Sequence, residues 1–367
     1  MKFACDRDAL LKEISVAAEI ISSRNTLSIL SNVYLDARDN AVVLRATDLK
    51  VGFETRIPVE VITPGRTTVF CDKLLGILRT VPEGDVEFEQ KDNGTFIIRP
   101  RTRKVDFRLK SIDAEKYPEV HTAGDDAFFE VAQADIIEMI GQTIFAVSDD
   151  ETRYFMNGVY MEQSEGELVM VATDGRRLSF IKKVPGKPVP EFPGVIVPPK
   201  VLNLVRKLAS GEGNFLLAVT DKNLFIKFDN RRISSALIEG QFPNYRRVVP
   251  ETQEYQLTVR KDDLMDALKR VSLLVEKSRR IYIGLSENQL ELSAEESDIG
   301  AATEEVSCTY SGPENRIALN YLYLSEPLRV IDTETIVLQY TEPNKAITML
   351  CEPKKDYFHI VMPMQLD

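Results

Sequence analysis

Apolar and polar positions follow one order several times along this chain: a strict alternation, an acidic residue, then apolar residues three and four apart. The first instance runs from Phe3 through Cys5, meets Asp6 and Asp8, and continues with Leu10, Leu11, Ile14, Ala17, Ala18 and Ile21. Alternation predicts a half-buried strand, and the later spacing is one face of a helix. Acidic residues at the junction cap free N–H groups and complement the helix dipole. The layout returns at Phe129-Glu-Val-Ala-Gln-Ala-Asp, with Ile136, Ile137, Ile140 and Ile144, and at Leu257-Thr-Val-Arg-Lys-Asp-Asp, with Leu264, Ala267, Leu268 and Val271. The three starts lie roughly 127 residues apart, a period that marks repeated domains.

Each copy holds a second, similar half. Thr68-Val-Phe-Cys-Asp-Lys-Leu-Leu, Gly194-Val-Ile-Val-Pro-Pro-Lys-Val-Leu and Asn315-Arg-Ile-Ala-Leu-Asn-Tyr-Leu again read strand then helix. Strand-like runs separated by turn residues follow each helix, as in Val33-Tyr-Leu-Asp and Ala41-Val-Val-Leu around Asp39-Asn40. The sequence therefore predicts an α+β chain of three repeated domains (1–122, 123–252, 253–367), each made of two βαβββ units. The competing explanation is chance likeness between amphipathic helices. Like domains related by one rotation make a closed ring, or an arc or filament, and periodicity alone does not choose.

Composition narrows the function. At 367 residues the chain exceeds one ordinary core, and no apolar run approaches the roughly 20 residues that span a bilayer. Acidic residues follow Met1 at once, unlike a secretory leader, and Cys5, Cys71, Cys308 and Cys351 lie far apart, as reduced cytoplasmic thiols do. His121 and His359 have no second ligand at metal spacing, so neither a metal nor a cofactor is expected. The net charge of −11 disfavours binding through phosphate contacts alone. An acidic protein that holds DNA needs another means, and enclosure is one.

Three motifs sharpen this: Val171-Ala-Thr-Asp-Gly-Arg-Arg-Leu178, Gln241-Phe-Pro-Asn-Tyr-Arg-Arg-Val248 and Val361-Met-Pro-Met-Gln-Leu366. With Met1-Lys2-Phe3, Ala46-Thr-Asp-Leu, Arg153-Tyr-Phe-Met-Asn-Gly and Val195-Ile-Val-Pro, they run in order from end to end. The ordered set resembles the bacterial sliding-clamp family, the β subunits of DNA polymerase III holoenzyme. The resemblance implies a clamp fold and a homodimeric ring around duplex DNA. It also implies processivity work for the replicative polymerase, without catalysis. A hydrophobic cleft would dock peptides from polymerase III subunits, the clamp loader, other polymerases and repair proteins. Carried over residue by residue, that cleft comprises Tyr154, Met156, Thr173, Gly175, Arg176, Arg177, Leu178, Pro243, Arg247, Val248, Ile360, Met362, Pro363 and Met364. Methionines suit such a surface because they deform around different partners. Met156 stands where leucine is usual, and Arg176 where histidine is frequent.

For DNA the resemblance points to Arg24, Arg153, Tyr154 and Lys200. Asp150 and Pro199 fall where relatives carry uncharged polar or basic side chains, which weakens phosphate attraction there. The six predicted helices (8–21, 72–80, 134–147, 200–210, 262–275, 321–330) hold nine Lys or Arg against ten Asp or Glu, so as a set they are not basic. Lys73, Lys200, Arg206, Lys207, Lys269 and Arg270 are the candidates for a face turned to DNA. For the dimer the resemblance pairs Phe107 and Leu109 with Leu273 and Leu274, joined by Arg101, Arg103 and Lys104 opposite Glu304 and Glu305.

Two other classes fit parts of the sequence. Asp174-Gly-Arg-Arg suits a phosphate-handling enzyme, with Asp174 as nucleophile and Arg176 and Arg177 on phosphate. No second carboxylate cluster, Gly-rich loop or Ser/His pair accompanies it, and a turn with Gly175 at positive φ is simpler. The repeats alone also suit a protein-binding scaffold without DNA.

Overall fold

A computed structural model of the chain describes residues 1–21, 28–275, 277–298 and 300–365. Among these residues the expected βαβββ unit recurs six times, with one extra strand. The first repeat is β1 (Lys2–Asp6), α1 (Arg7–Ile20), β2 (Asn32–Arg38), β3 (Ala41–Thr47) and β4 (Val51–Pro58). After the extra β5 (Glu60–Thr63) come β6 (Gly65–Phe70), α2 (Cys71–Thr80), β7 (Asp85–Gln90), β8 (Thr95–Pro100) and β9 (Phe107–Ile112). The third and fourth are β10 (Phe129–Ala132), α3 (Gln133–Gly141), β11 (Val159–Ser164), β12 (Glu167–Thr173), β13 (Arg177–Lys183), then β14 (Val195–Val197), α4 (Pro199–Leu208), β15 (Asn214–Val219), β16 (Asn223–Phe228), β17 (Arg231–Ala236). The last two are β18 (Tyr255–Arg260), α5 (Lys261–Val271), β19 (Arg280–Ser286), β20 (Gln289–Ser297), β21 (Gly300–Tyr310), then β22 (Asn315–Asn320), α6 (Tyr321–Leu328), β23 (Thr335–Tyr340), β24 (Ile347–Glu352), β25 (Tyr357–Val361).

The helices start where the sequence indicates. Asp6 caps α1 by accepting from the Ala9 amide at 2.9 Å, and Asn320 caps α6 through Leu322 at 3.1 Å. Their ends differ from the expectation. α3 stops at Gly141 although apolar spacing continues to Ile144, which sits in a separate 3-10 turn. Thr143 donates its hydroxyl to the Met139 carbonyl at 2.7 Å, and Ser179 takes the Gln142 carbonyl at 2.5 Å. Those side chains occupy the acceptors that helix continuation would use. α5 likewise ends at Val271, and Leu273 and Leu274 lie in a 3-10 turn.

The chain divides into two compact units, Met1–Val131 with Asn214–Leu237, and Ala132–Gly213 with Ile238–Asp367. In the first, thirteen strands form one sheet in the order β10-β15-β16-β17-β4-β3-β2-β6-β9-β8-β7-β1-β5. In the second, twelve run β14-β11-β12-β13-β25-β24-β23-β18-β21-β20-β19-β22. The repeats are stitched by antiparallel pairing, as where β17 meets β4 from Arg231↔Thr55 to Ser235↔Val51 and β13 meets β25 from Arg177↔Val361 to Ile181↔Tyr357. Apolar faces of the helices cover the sheets: Leu10, Ile14 and Ala17 on α1 and Leu264, Ala267 and Leu268 on α5 are fully enclosed or nearly so.

Two strands are paired along only part of one side among the described residues. β9 meets β6 at Ser111 and Ile112 alone, leaving Phe107–Lys110 as an edge. β21 meets β18 only from Cys308 to Tyr310, leaving its earlier residues bonded to β20 alone.

One ion pair lies inside the first unit. Arg231 on β17 grips Glu13 on α1 with two hydrogen bonds, at 3.1 Å to Oε2 and 2.5 Å to Oε1, and both side chains are buried. Removing one partner strands the other's charge away from water. Glu13→Ala is expected to destabilise the unit by about 3–5 kcal/mol, whereas Glu13→Leu with Arg231→Met costs clearly less. Calorimetric unfolding of both variants checks this, and equal losses would contradict it.

Candidate functional site

The second unit carries an apolar cavity of about 320 Å³. Its first wall is the β12–β13 hairpin, with Thr173, Gly175, Arg176, Arg177 and Leu178. Backbone and short side chains fix that hairpin. Thr173 Oγ1 donates to the Arg177 carbonyl at 2.5 Å and accepts from the Gly175 amide at 3.1 Å. Asp174 Oδ1 accepts from the amides of Arg176 and Arg177 at 2.9 and 3.0 Å. Gly175 has φ +87, which glycine adopts without strain, and a Cβ there would fall 2.8 Å from Arg153 Nη1 and push that side-chain end aside. The Asp174-Gly-Arg-Arg motif is thus a turn. Both Asp174 oxygens are engaged within it, since Oδ2 accepts from Arg177 Nε at 3.0 Å.

The second wall is the segment Pro243, Asn244, Tyr245 and Val248, and the third is the end of β25 with Ile360 and Met362. Met156, Leu178 and Ile360 are buried and form the floor, while Val248 is 54% and Met362 44% exposed and form the rim. Beneath lies an aromatic support: Phe180 stacks on Phe358 at 4.6 Å, and Tyr245 meets Phe180 at 5.9 Å. A second depression of about 550 Å³ shares Val248 and Met362 and extends over Pro250, Gln253, Lys345 and Ala346.

Ten of the fourteen expected cleft residues line the cavity: Met156, Thr173, Gly175, Arg176, Arg177, Leu178, Pro243, Val248, Ile360 and Met362. Four do not. Tyr154 stands exposed, edge-on to Phe155 at 5.8 Å. Arg247 is exposed, Pro363 lies beyond the rim, and Met364 turns away to bond the Ala318 carbonyl through its amide at 2.8 Å. Asn244 and Tyr245 line the cavity and were not anticipated, although they lie inside the quoted Gln241–Val248 motif.

Arg177 is less a rim contact than a buried post. Nη2 donates to the Phe145 carbonyl at 2.6 Å, Nη1 donates to Glu326 on α6, and the guanidinium lies 4.7 Å from the Tyr323 ring centroid. His359, on β25 and fully enclosed, packs its ring 5.6 Å from Phe145. Its Nε2 donates to the Tyr323 carbonyl at 3.1 Å. Burial, and then the Arg177 charge, push the His359 pKa from 6.5 down to about 3.

Of the expected DNA contacts, Arg24 lies outside the described residues. Lys200 is exposed in the first turn of α4, as are Lys73, Arg206, Lys207, Lys269 and Arg270 on their helices. Arg153 is half-exposed and held by Asp150, Nε to Oδ2 at 2.9 Å. That carboxylate is kept below the usual range first by the Thr152 hydroxyl. Phe107 and Leu109 are half-buried on the β9 edge, and Leu273 is 77% exposed. Two of the charges expected beside them, Arg101 and Glu304, already have partners in the chain. Arg101 meets Glu60, Asp85 and Glu87 at 3.0 to 3.2 Å, and Glu304 meets Arg270 at 2.5 Å. Among the described residues no group of three or more His, Cys, Asp or Glu side chains could hold a metal, and no helix is long and apolar enough to cross a membrane.

Family models of the DNA polymerase III beta subunit match in three parts: the N-terminal domain over residues 1–121, the central domain over 130–244 and the C-terminal domain over 246–365. The beta sliding clamp of Treponema pallidum is 44% identical, and that of Escherichia coli 31%, each over the whole of both chains. The solved structure of a sliding clamp from Pseudomonas aeruginosa bound to griselimycin superposes with a TM-score of 0.94 at 29% identity, again over both whole chains.

His359 gives the site region a pH signature. Its folded-state pKa lies below the unfolded value of 6.5. As pH falls from 6.5 toward about 3, only the unfolded chain takes up this proton, so stability is lost through that window. The melting-temperature advantage of wild type over His359→Gln is therefore expected to shrink between pH 6.5 and 4. A constant gap would contradict the assignment.

Proposed function

Because the chain belongs to the DNA polymerase III beta subunit family, and as a sliding clamp performs no catalysis, we propose that it acts as a homodimeric ring that encircles duplex DNA. Domains 1–122, 123–252 and 253–367 of two chains form the ring. It slides without reading sequence and tethers polymerase III subunits, other polymerases and repair proteins through the cleft. A separate clamp loader opens it using ATP, in the cytoplasm.

The pair of half-open strand edges carries the ring proposal. An edge row of free amides and carbonyls invites pairing with another chain. Phe107–Lys110 on β9 and residues 301–307 on β21 are two such rows, one in the first domain and one in the last. A second copy of the chain can join one to the other, and two such joints close the assembly. Phe107, Leu109, Leu273 and Leu274 then supply the apolar contact. The intrachain partners of Arg101 and Glu304 make ion pairs across the joint a minor term, as exposed pairs usually are.

For DNA, the proposal assigns Arg24, Arg153, Tyr154 and Lys200 to transient contacts. Asp150 already offsets Arg153, so attraction at that point is weak. Weak and interchangeable contacts are what sliding needs, and enclosure supplies retention.

For the cleft, the supporting observation is a preformed apolar floor with Val248 and Met362 left exposed at its rim. A short peptide with apolar side chains can bury them at little cost in protein ordering.

Two measurements test these readings. Leu273→Ala with Leu274→Ala is expected to shift sedimentation from dimer toward monomer and to abolish retention on circular DNA after loading. Wild type should be retained on circles and released on linearisation. An unchanged dimer would refute the interface. In the second, Val248→Ala with Met362→Ala is expected to weaken binding of griselimycin at least about tenfold, from the apolar contact that two truncated side chains give up. Unchanged affinity in calorimetric titration would refute the cleft.

A further inference from the structure

We infer that Glu162 on β11 is a positioning residue for the cleft, its carboxylate holding the 243–248 wall in place. The inference rests on the reading of that cleft as a docking site. Glu162 Oε1 accepts from Tyr245 Oη at 2.7 Å and from Arg246 Nη2 at 2.5 Å, and Oε2 accepts from Tyr160 Oη at 3.1 Å. The residue is 9% exposed, so this carboxylate has little water to fall back on.

Two of the three donors are consecutive and open the 3-10 turn Tyr245–Val248. That turn delivers Tyr245 to the cavity and Val248 to its rim. Packing of the Tyr245 ring on Phe180 and Tyr160 holds its start, but local hydrogen bonds add little: the residue before it, Asn244, makes no side-chain cap, and the Arg247 amide reaches the Asn244 carbonyl at a long 3.3 Å. The third donor ties the other end of the wall to the same carboxylate. Tyr160 stacks on Phe242, next to Pro243, with centroids 4.8 Å apart and planes 13° from parallel. The Arg246 guanidinium lies 4.8 Å from the Tyr245 ring centroid, which completes the clamp.

The donors keep their protons at working pH. Burial, then the Glu162 charge, push the Tyr160 phenol up to about 12, and burial raises Tyr245 as well. Loss of the carboxylate therefore leaves two phenols and a guanidinium without their shared acceptor, and ring packing alone is left to hold the wall.

The geometry also says which substitution is tolerated. Glutamine at 162 keeps one oxygen for Tyr245 and Arg246, and its amide can donate to the Tyr160 hydroxyl. Glu162→Ala keeps none of these.

The test uses the full-length protein, with griselimycin as the probe and amide hydrogen exchange as a readout that needs no ligand. Glu162→Ala is expected to raise exchange at Tyr245–Val248 at least tenfold while exchange in β18–β25 is unchanged. It should weaken griselimycin about tenfold or more. Glu162→Gln should restore both to within about threefold of wild type, which a general loss of packing would not allow. Unchanged exchange at Tyr245–Val248 in Glu162→Ala would overturn the inference, as would failure of the glutamine variant to recover. If wild type itself does not bind griselimycin, or binds it regardless of Val248 and Met362, the docking reading fails; the exchange result still decides whether Glu162 holds the wall.

Discussion

A strand at the end of a sheet has amides and carbonyls with no partner, and this constraint organises the whole chain. The last three strands of each βαβββ repeat lie side by side, while its first strand pairs with the other repeat of its domain, and outer strands stay exposed unless a further piece joins them. Here the pieces join edge to edge: β2 to β6, β17 to β4, β13 to β25 and β18 to β23. Every such joint converts an exposed edge into ladder hydrogen bonds and lets helices of neighbouring repeats share a covered face. α1 packs on α2, α3 on α4 and α5 on α6. The edges left half open on β9 and β21 belong to the first and last domains. The same rule that builds the monomer therefore sets the condition for its assembly.

The repeat pattern was legible because it rests on local physics. Alternation, an acidic cap and 3.6-residue spacing each need only neighbours in sequence, and all six strand–helix starts were found. Helix ends were less legible because they depend on remote acceptors. Ser179, nearly forty residues on, takes the Gln142 carbonyl and helps end α3. The cleft shows the same division. Motifs pointed to Arg177 as a cleft residue, but not to its burial, because its partner Glu326 lies 149 residues away. Tyr245 was passed over because an aromatic residue in a loop gives no sign of facing inward until Glu162 is seen beneath it.

Two hairpins show how one local design can acquire a site in one copy and not in another. Thr47–Val51 repeats the bonds of Thr173–Arg177 atom for atom. Thr47 Oγ1 donates to Val51 O at 2.9 Å and accepts from Leu49 at 3.0 Å, and Asp48 Oδ1 accepts from Lys50 and Val51 at 2.9 and 2.7 Å. In the sheet register Gly52 stands where Leu178 does, opposite Ser234 where the other copy has Ile360. The apolar floor is thus missing from the first copy, and Val120 fills the space over Gly52. The third residue of the turn tells the same story. Leu49 adopts φ +75, a conformation that is rare and strained for a side chain. Gly175 takes it without strain and leaves room for Arg153. The turn bonds alone do not make a cleft; the residues on the two strands beneath them do.

The charge of −11 also takes its meaning from this architecture. A protein that depended on phosphate attraction would lose hold as salt rose, and its basic groups would need to be unopposed. This chain does the reverse with several of its arginines. Arg153 is met by Asp150, Arg101 by three carboxylates and Arg270 by Glu304. Such pairing is expensive for an adhesive surface and harmless for one that works by surrounding its track. In the proposed ring, neutralised contacts would lower the barrier between neighbouring positions on DNA and so favour motion along the duplex. The proposed closed path would make strong attraction unnecessary and leave the cleft free for docking. Binding of partners then depends on the shape of the cleft, and so on the fixed position of a few residues such as Tyr245.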